Sequence, residues 1–365
     1  VESVLKNSAI ASKQLIYAVA CYILGGTLYM SYAVSIAKQD TWLIVIPGFL
    51  LCVFFAWIII TLSQKFRGKT LIEINDIVFG KTIGKIFSAF YLFYFLINTC
   101  LDIREIGNFI SNYIMPETPI IAVMTFFTTV CAYAVYNGLH TILRNSFLLG
   151  ALMLMIIIMD TIYLLPEIDF NRFIPFFTQS AEDYIQAALT VATIPFDGLI
   201  ALPMILPYFK NAKDYKKPVF IGIAVGAVVL LIIAVRDWAV LGNASLIAAI
   251  PSFEALRLVK IGKVLTRMEI FIAAMLMAIR FFRCSILYYC FAKGAAQLFG
   301  LKSYKPFTIL IGVIMVCVSI ILYSSLAEGG YFSESVGAQY ILFFVFLLPL
   351  VTVVVLKLKF KKHKT

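Results

Sequence analysis

The chain has 365 residues, 62% of them hydrophobic and 13% charged, with a mean hydropathy of +0.98 and a formal charge of +11. A soluble domain carries about 25% charged residues, so this composition excludes a single water-solvated core and points to lipid on most sides. The positive charge reads as membrane topology and attraction to an anionic leaflet, and no nucleic-acid partner is expected.

Apolar runs at about 12–37, 41–64, 86–114, 119–137, 142–165, 183–209, 217–241, 264–293, 306–326 and 338–357 predict ten transmembrane helices in an all-α protein. Most reach the roughly 20 residues that a ~30 Å hydrocarbon core requires. Twenty of the thirty Lys and Arg residues fall in alternate connections and both ends, among them Lys65 to Lys85, Lys210 to Lys217 and the tail at 358–365. The positive-inside rule then places both termini in the cytoplasm. The first run is too long for a cleavable signal, so none is expected.

In chain order, the first run is interrupted by Gly25-Gly26, next to Thr27. The pair reads either as close packing through small residues or as an unwound point whose freed N–H groups receive an anion such as a carboxylate. Residues 65–85 carry Leu71, Ile74, Ile77 and Val78 at helical spacing, with Glu73 and Asp76 on another face: an amphipathic interfacial helix. The third run offers Tyr94 and Asn98 as pocket groups, then Asp102, Arg104 and Glu105, which read as an ion cluster nearer the interface. An outer stretch at about 166–182, with Phe170, Phe173, Phe176 and Phe177, suggests an aromatic belt or lid.

The sixth run is interrupted by Pro195-Phe196-Asp197-Gly198, after Thr193, and continues past Pro203 and Pro207. Proline removes a backbone donor and glycine permits unusual dihedrals. A carboxylate at this depth is expensive and marks a candidate site; its partner is either a ligand ammonium or a neighbouring arginine. The seventh run carries Gly222 and Gly226, read as helix packing, and Arg236-Asp237, read as an outer ion pair like Arg267 with Glu269. The outer stretch at 242–263 predicts a short surface helix around Leu256 and Val259. Arg280 and Arg283, three apart in the eighth run, lie on neighbouring faces and stay charged, so they pair with carboxylate, carbonyl, water or ligand.

Breaks at matching places in two halves are the sequence signature of an inverted-repeat transporter with a binding site at the midplane. The halves are expected at about 12–165 and 183–357. The candidate ligand set is Gly25, Gly26, Thr27, Tyr94, Asn98, Thr193, Phe196, Asp197, Gly198, Arg280 and Arg283. Seven cysteines lie in apolar runs without a paired motif, and His140 and His363 share no ligand spacing, so no metal, cofactor or enzymatic centre is expected.

Four segments carry a resemblance: Leu24-Gly25-Gly26, Glu117-Thr118-Pro119, Phe170-Asn171-Arg172-Phe173-Ile174-Pro175 and Arg267-Met268-Glu269. In their order and spacing the chain resembles the B subunits of GerA-type spore germinant receptors over essentially its whole length. The resemblance implies the amino acid/polyamine/organocation superfamily, a LeuT-like fold of two five-helix inverted repeats with helices 1 and 6 broken, and a place in the inner membrane of a bacterial spore. It implies a nutrient germinant, commonly an amino acid, as ligand, and an A subunit and a C-subunit lipoprotein as partners. By the same resemblance Gly25 and Gly26 match the first-helix ligand break, Tyr94 a third-helix pocket position, and Phe196, Asp197 and Gly198 the sixth-helix segment. Asp197, Arg280 and Arg283 are more charged than the family pattern, which favours a polar, zwitterionic or charged germinant. In this architecture an eighth-helix arginine can also stand where related transporters hold sodium. Two other readings share the fold: a proton-coupled amino-acid permease, with Asp197, Asp102 or Glu105 as the coupling group, and a scaffold without a ligand.

Overall fold

In lipid every backbone N–H and C=O needs a partner within its own segment, so uncharged runs of Leu, Ile, Val and Phe form continuous helix. The computed structural model describes residues 12–27, 30–209, 215–258, 269–323 and 326–361, and these residues form helices and turns with no strand. The helices are α1 (Ser12–Leu24), α2 (Met30–Ala37), α3 (Thr41–Lys65), α4 (Leu71–Phe79), α5 (Lys81–Phe109), α6 (Ile120–Asn137), α7 (Leu139–Leu164) and α8 (Ala181–Thr193). They continue as α9 (Leu202–Ile205), α10 (Lys216–Leu241), α11 (Pro251–Leu258), α12 (Glu269–Leu298), α13 (Thr308–Ile321), α14 (Leu326–Phe332), α15 (Ala338–Leu342) and α16 (Leu348–Lys361).

Among the described residues eight helical stretches are long and apolar enough to cross a bilayer by length and composition, against the ten expected. The other two expected spans are shorter apolar helices, Ser12–Leu24 and Lys305–Ile321. The first is short because the chain leaves the helix at Gly25, while α2 and α3 run together as one stretch, Met30–Lys65.

The packing repeats between the two halves. The first part of the first broken helix, α1, lies on α10, and the first part of the second, α8, lies on α3. Helix α5 pairs with α12 and α6 with α13, while α6 against α12 has its counterpart in α13 against α5. Helix α7 lies on α1 as α15 lies on α8. Exchanging the halves thus maps contacts onto contacts, as an internal repeat requires. The close approaches match too: a Cβ on Gly48 of α3 would come within 2.7 Å of Val191 on α8, and one on Gly222 of α10 within 2.8 Å of the Ile16 carbonyl on α1. Gly226 likewise faces Ile23 at 2.9 Å, so both glycines of α10 serve packing as expected.

Helix α4 begins at a reciprocal cap in which Glu73 N–H donates to Thr70 Oγ1 (3.4 Å) and Thr70 N–H to Glu73 Oε2 (2.8 Å). Leu71, Ile74 and Val78 are buried as its spacing predicts, whereas Ile77 is exposed. The stretch 166–182 forms two 3-10 turns, with Phe173 packed beside Trp238 and Phe170, Phe176 and Phe177 exposed. The short helix expected after 242 is α11, and Arg236 pairs with Asp237 at 2.7 Å. Arg267 lies outside the described residues, as does the Glu269 side chain.

Candidate functional site

Both expected breaks are present. At the end of α1, Gly25 N–H still reaches Cys21 O at 2.9 Å, but Gly26 N–H turns back three residues to Ile23 O at 2.9 Å. The Thr27 hydroxyl donates to Leu24 O at 2.8 Å and so closes the helix end. At the end of α8, Ile194 N–H reaches Thr190 O at 2.9 Å; Pro195 then has no N–H to continue the ladder. The chain resumes as a 3-10 turn, Asp197–Ala201, followed by α9 and a second turn, Leu206–Tyr208. Thr193 is buried, with its hydroxyl donating to Leu189 O at 2.6 Å, so it is bound to its own helix.

The two breaks touch. A Cβ on Gly26 would stand 2.6 Å from Pro195 Cα, and one on Gly198 would overlap the Tyr22 ring. A Cβ on Gly25 would stand 2.9 Å from both Cβ and Cδ of Arg283, because that side chain runs directly past the first break. Glycine is required at these positions by close approach.

Arg283 ends between two carboxylates. Its Nε donates to Asp102 Oδ2 at 3.0 Å and its Nη2 to Asp197 Oδ2 at 2.8 Å, while the guanidinium carbon lies 4.9 Å from the Tyr22 ring centre. Arg280 Nη1 donates to the other oxygen of Asp102. All four ions are at most 2% exposed. An isolated charge in such surroundings costs several kcal/mol; two guanidiniums and two carboxylates balance to zero. Tyr94 Oη donates to the Asp197 carbonyl at 3.4 Å, and its ring stacks on Tyr340 at 5.8 Å and lies tilted against Phe344 at 4.8 Å. Asn98 donates back to Tyr94 O at 3.0 Å. Phe196 is fully buried beside the break.

The structure therefore gathers Gly25, Gly26, Tyr94, Asp197, Gly198, Arg280 and Arg283 at one depth, and turns the Thr27 and Thr193 hydroxyls onto their own helices. Of the two partners considered for Asp197, it has the arginine. One expectation is corrected: Asp102 belongs to this centre, whereas Arg104 and Glu105 face Tyr323, at 5.1 Å from its ring and 2.8 Å from its hydroxyl. The signal was the spacing of Tyr94, Asn98 and Asp102, four apart on one face of α5. Tyr22, also missed, is three residues before Gly25 and so reaches across to the second break. The cavity beside the breaks, lined by Tyr22, Phe196, Gly198 and Phe282 among apolar neighbours, holds about 30 Å³, the share of one water molecule. In this conformation the breaks close on each other.

The sequence family described as "Spore germination protein" matches residues 9–325. The chain belongs to that family. Spore germination protein KB of Bacillus subtilis (strain 168) is 25% identical over 99% of this chain and 98% of its own. Among solved structures, MhsT in complex with L-phenylalanine superposes with a TM-score of 0.61 at 14% identity, covering 95% of this chain and 98% of that one. Mhp1, a nucleobase-cation-symport-1 family transporter in a closed conformation, gives 0.62 at 12% identity, covering 88% and 74%. These likenesses establish the LeuT-like fold and an integral membrane protein of transporter-like architecture. None of these relatives is described as an enzyme.

Proposed function

We propose that the chain is the germinant-sensing membrane subunit of a spore germinant receptor, binding an amino-acid-like molecule where the two broken helices cross. The observation that carries this reading is Arg283, which bridges carboxylates of two different helices at the point where both ladders are interrupted. A zwitterion can exchange with that pair: its carboxylate takes the Arg283 guanidinium, its ammonium takes Asp197, and no charge is left without an opposite one while a molecule is wedged between α1 and α8. The same guanidinium, lying against the first break, occupies the place where a bound cation would serve in a coupled transporter.

A ligand that fits only the separated arrangement shifts the bundle toward it by its difference in affinity for the two states. The wedge would be read by partner subunits, the A subunit and the C lipoprotein, in the inner spore membrane with both chain ends in the cytoplasm. The five-helix halves meet at this site. Calorimetric titration of the purified protein with single amino acids tests the site: Gly25→Ala and Asp197→Asn are expected to lose binding. Undiminished binding in both variants removes the assignment.

The fold similarity to transporters supports a second reading, proton-coupled amino-acid permeation. Against it, the two carboxylates at the breaks, Asp102 and Asp197, are both hydrogen-bonded to Arg283, whose guanidinium does not release its proton and keeps a positive charge beside them. Accumulation of labelled amino acid in proteoliposomes under a pH gradient would decide for the permease.

A further inference from the structure

One turn along α5 from Asp102, toward the end of that helix away from Lys81 and Lys85, Glu105 lines a cavity of about 230 Å³. That is several times the space between the breaks and room for a small organic molecule. Its other polar walls are Ser31, Ser35, Asn108 and Asn112, and its aromatic walls are Tyr32, Phe109 and Tyr113, closed by residues 246–250. Asn112 and Tyr113 stand on a π-helical turn, Ile110–Ile114, a helix irregularity that recurs at functional sites.

The charge on this wall differs from that at the breaks. Glu105 Oε1 accepts a hydrogen bond from the Tyr323 hydroxyl at 2.8 Å, and that hydroxyl accepts from Asn108 Nδ2 at 3.1 Å. The neighbouring guanidinium of Arg104 lies over the Tyr323 ring, 5.1 Å from its centre. Among the described residues Glu105 thus has a neutral phenol as its hydrogen-bond donor and no ion pair, while it faces a space large enough for a molecule. A carboxylate so placed attracts a cation and repels an anion, the amide and hydroxyl oxygens of Asn108, Asn112 and Ser31 can accept N–H groups, and the tyrosine faces favour positive charge over them.

We propose that this cavity is a second ligand site, distinct from the helix breaks, that takes a small organic ammonium ion with Glu105 as its counter-charge. The chemistry goes beyond the germinant reading: it requires no ligand at the central tetrad, and its test reads binding alone. Because the cavity lies on α5 directly beyond Asp102, an ammonium held here stands on the approach to the centre.

The test is thermal unfolding of the full chain in detergent, titrated with ethylammonium chloride, with KCl and sodium propionate at matched ionic strength as controls. Ethylammonium is expected to raise the wild-type melting temperature saturably, and neither control to do so. Glu105→Gln, whose amide oxygen still accepts from Tyr323, should move the ethylammonium midpoint about tenfold or more to higher concentration. Asn112→Leu, which fills the cavity and leaves Glu105 with its phenol, should do the same and covers the case in which Glu105→Gln does not fold. A wild-type midpoint in the folded variants, or equal stabilisation by KCl or propionate, overturns the proposal.

Discussion

Asp102 and Asp197 look equivalent as buried carboxylates, but their partners rank them. Asp102 accepts from both Arg280 and Arg283, whereas among the described residues Arg283 is the one cation that donates to Asp197. Either removal leaves two guanidiniums against one carboxylate, but without Asp102 the Arg280 guanidinium loses the carboxylate it donates to, whereas without Asp197 both guanidiniums still reach Asp102. Loss of one partner of a buried pair costs about 3–5 kcal/mol, so Asp102→Asn should be the more destabilising substitution and Asp197→Asn the milder. Adding Arg280→Met to Asp102→Asn restores charge balance, and the double variant should be more stable than the sum of the singles by about 0.5–3 kcal/mol. Melting temperatures of the wild type, the three single variants and the double variant check both statements; additive effects would mean that the four ions do not act as one cluster. Much of this centre is legible in the sequence, because a charge at bilayer depth announces itself: Asp197, Arg280 and Arg283 stand out on that ground. Asp102 does not, since neighbours in sequence, Arg104 and Glu105, suggest a local ion cluster, and only helical periodicity separates its face from theirs.

At the level of the element, glycine and proline make the interruptions readable while the lengths are not. Gly25-Gly26 and Pro195 end their ladders where expected, yet the helix before each break is only 13 residues long, so a hydropathy window merges what the backbone divides. Helix α4 is a contrasting case, because its capping pattern, Thr70 with Glu73, is written in four consecutive residues. Its far end depends on a residue nearly three hundred positions away: Lys359 Nζ on α16 donates to Val78 O at 3.1 Å and approaches Ile77 O at 3.4 Å. That cation satisfies carbonyls at a helix C-terminus, where positive charge is favoured, and no local pattern foretells it. Thr70→Ala should cost about 1 kcal/mol, and Lys359→Met should loosen the contact of α4 with α16. Faster amide exchange in residues 71–79 of each variant is the expected reading; unchanged exchange would show that side-chain packing alone holds the helix.

Across the whole molecule two bodies of helices pack most closely among themselves, with α7 lying against both α1 and α12. Helices α1, α3, α8 and α10 hold one another through the close approaches at Gly48, Gly222 and Gly226, and α5, α6, α12 and α13 pack among themselves. Asp197 belongs to the first body; Asp102, Arg280 and Arg283 belong to the second. The 2.8 Å bond from Arg283 to Asp197 therefore ties the bodies together, whereas the bonds to Asp102 only stiffen the second. Packed interfaces resist continuous deformation and shift as units, so loss of the tie is expected to free a motion of one body against the other. Spin labels at Ile232 on α10 and Leu310 on α13, exposed by 41% and 57%, report on that separation without entering either core. In Asp197→Asn the distance distribution between them should broaden or move, while in Asp102→Asn, where the tie remains, it should stay closer to the wild type. The order is opposite to that of the stabilities, and this is what distinguishes a conformational latch from a structural ion pair. If the two distributions instead follow the melting temperatures, Asp197 serves the fold and has no separate hold on the motion.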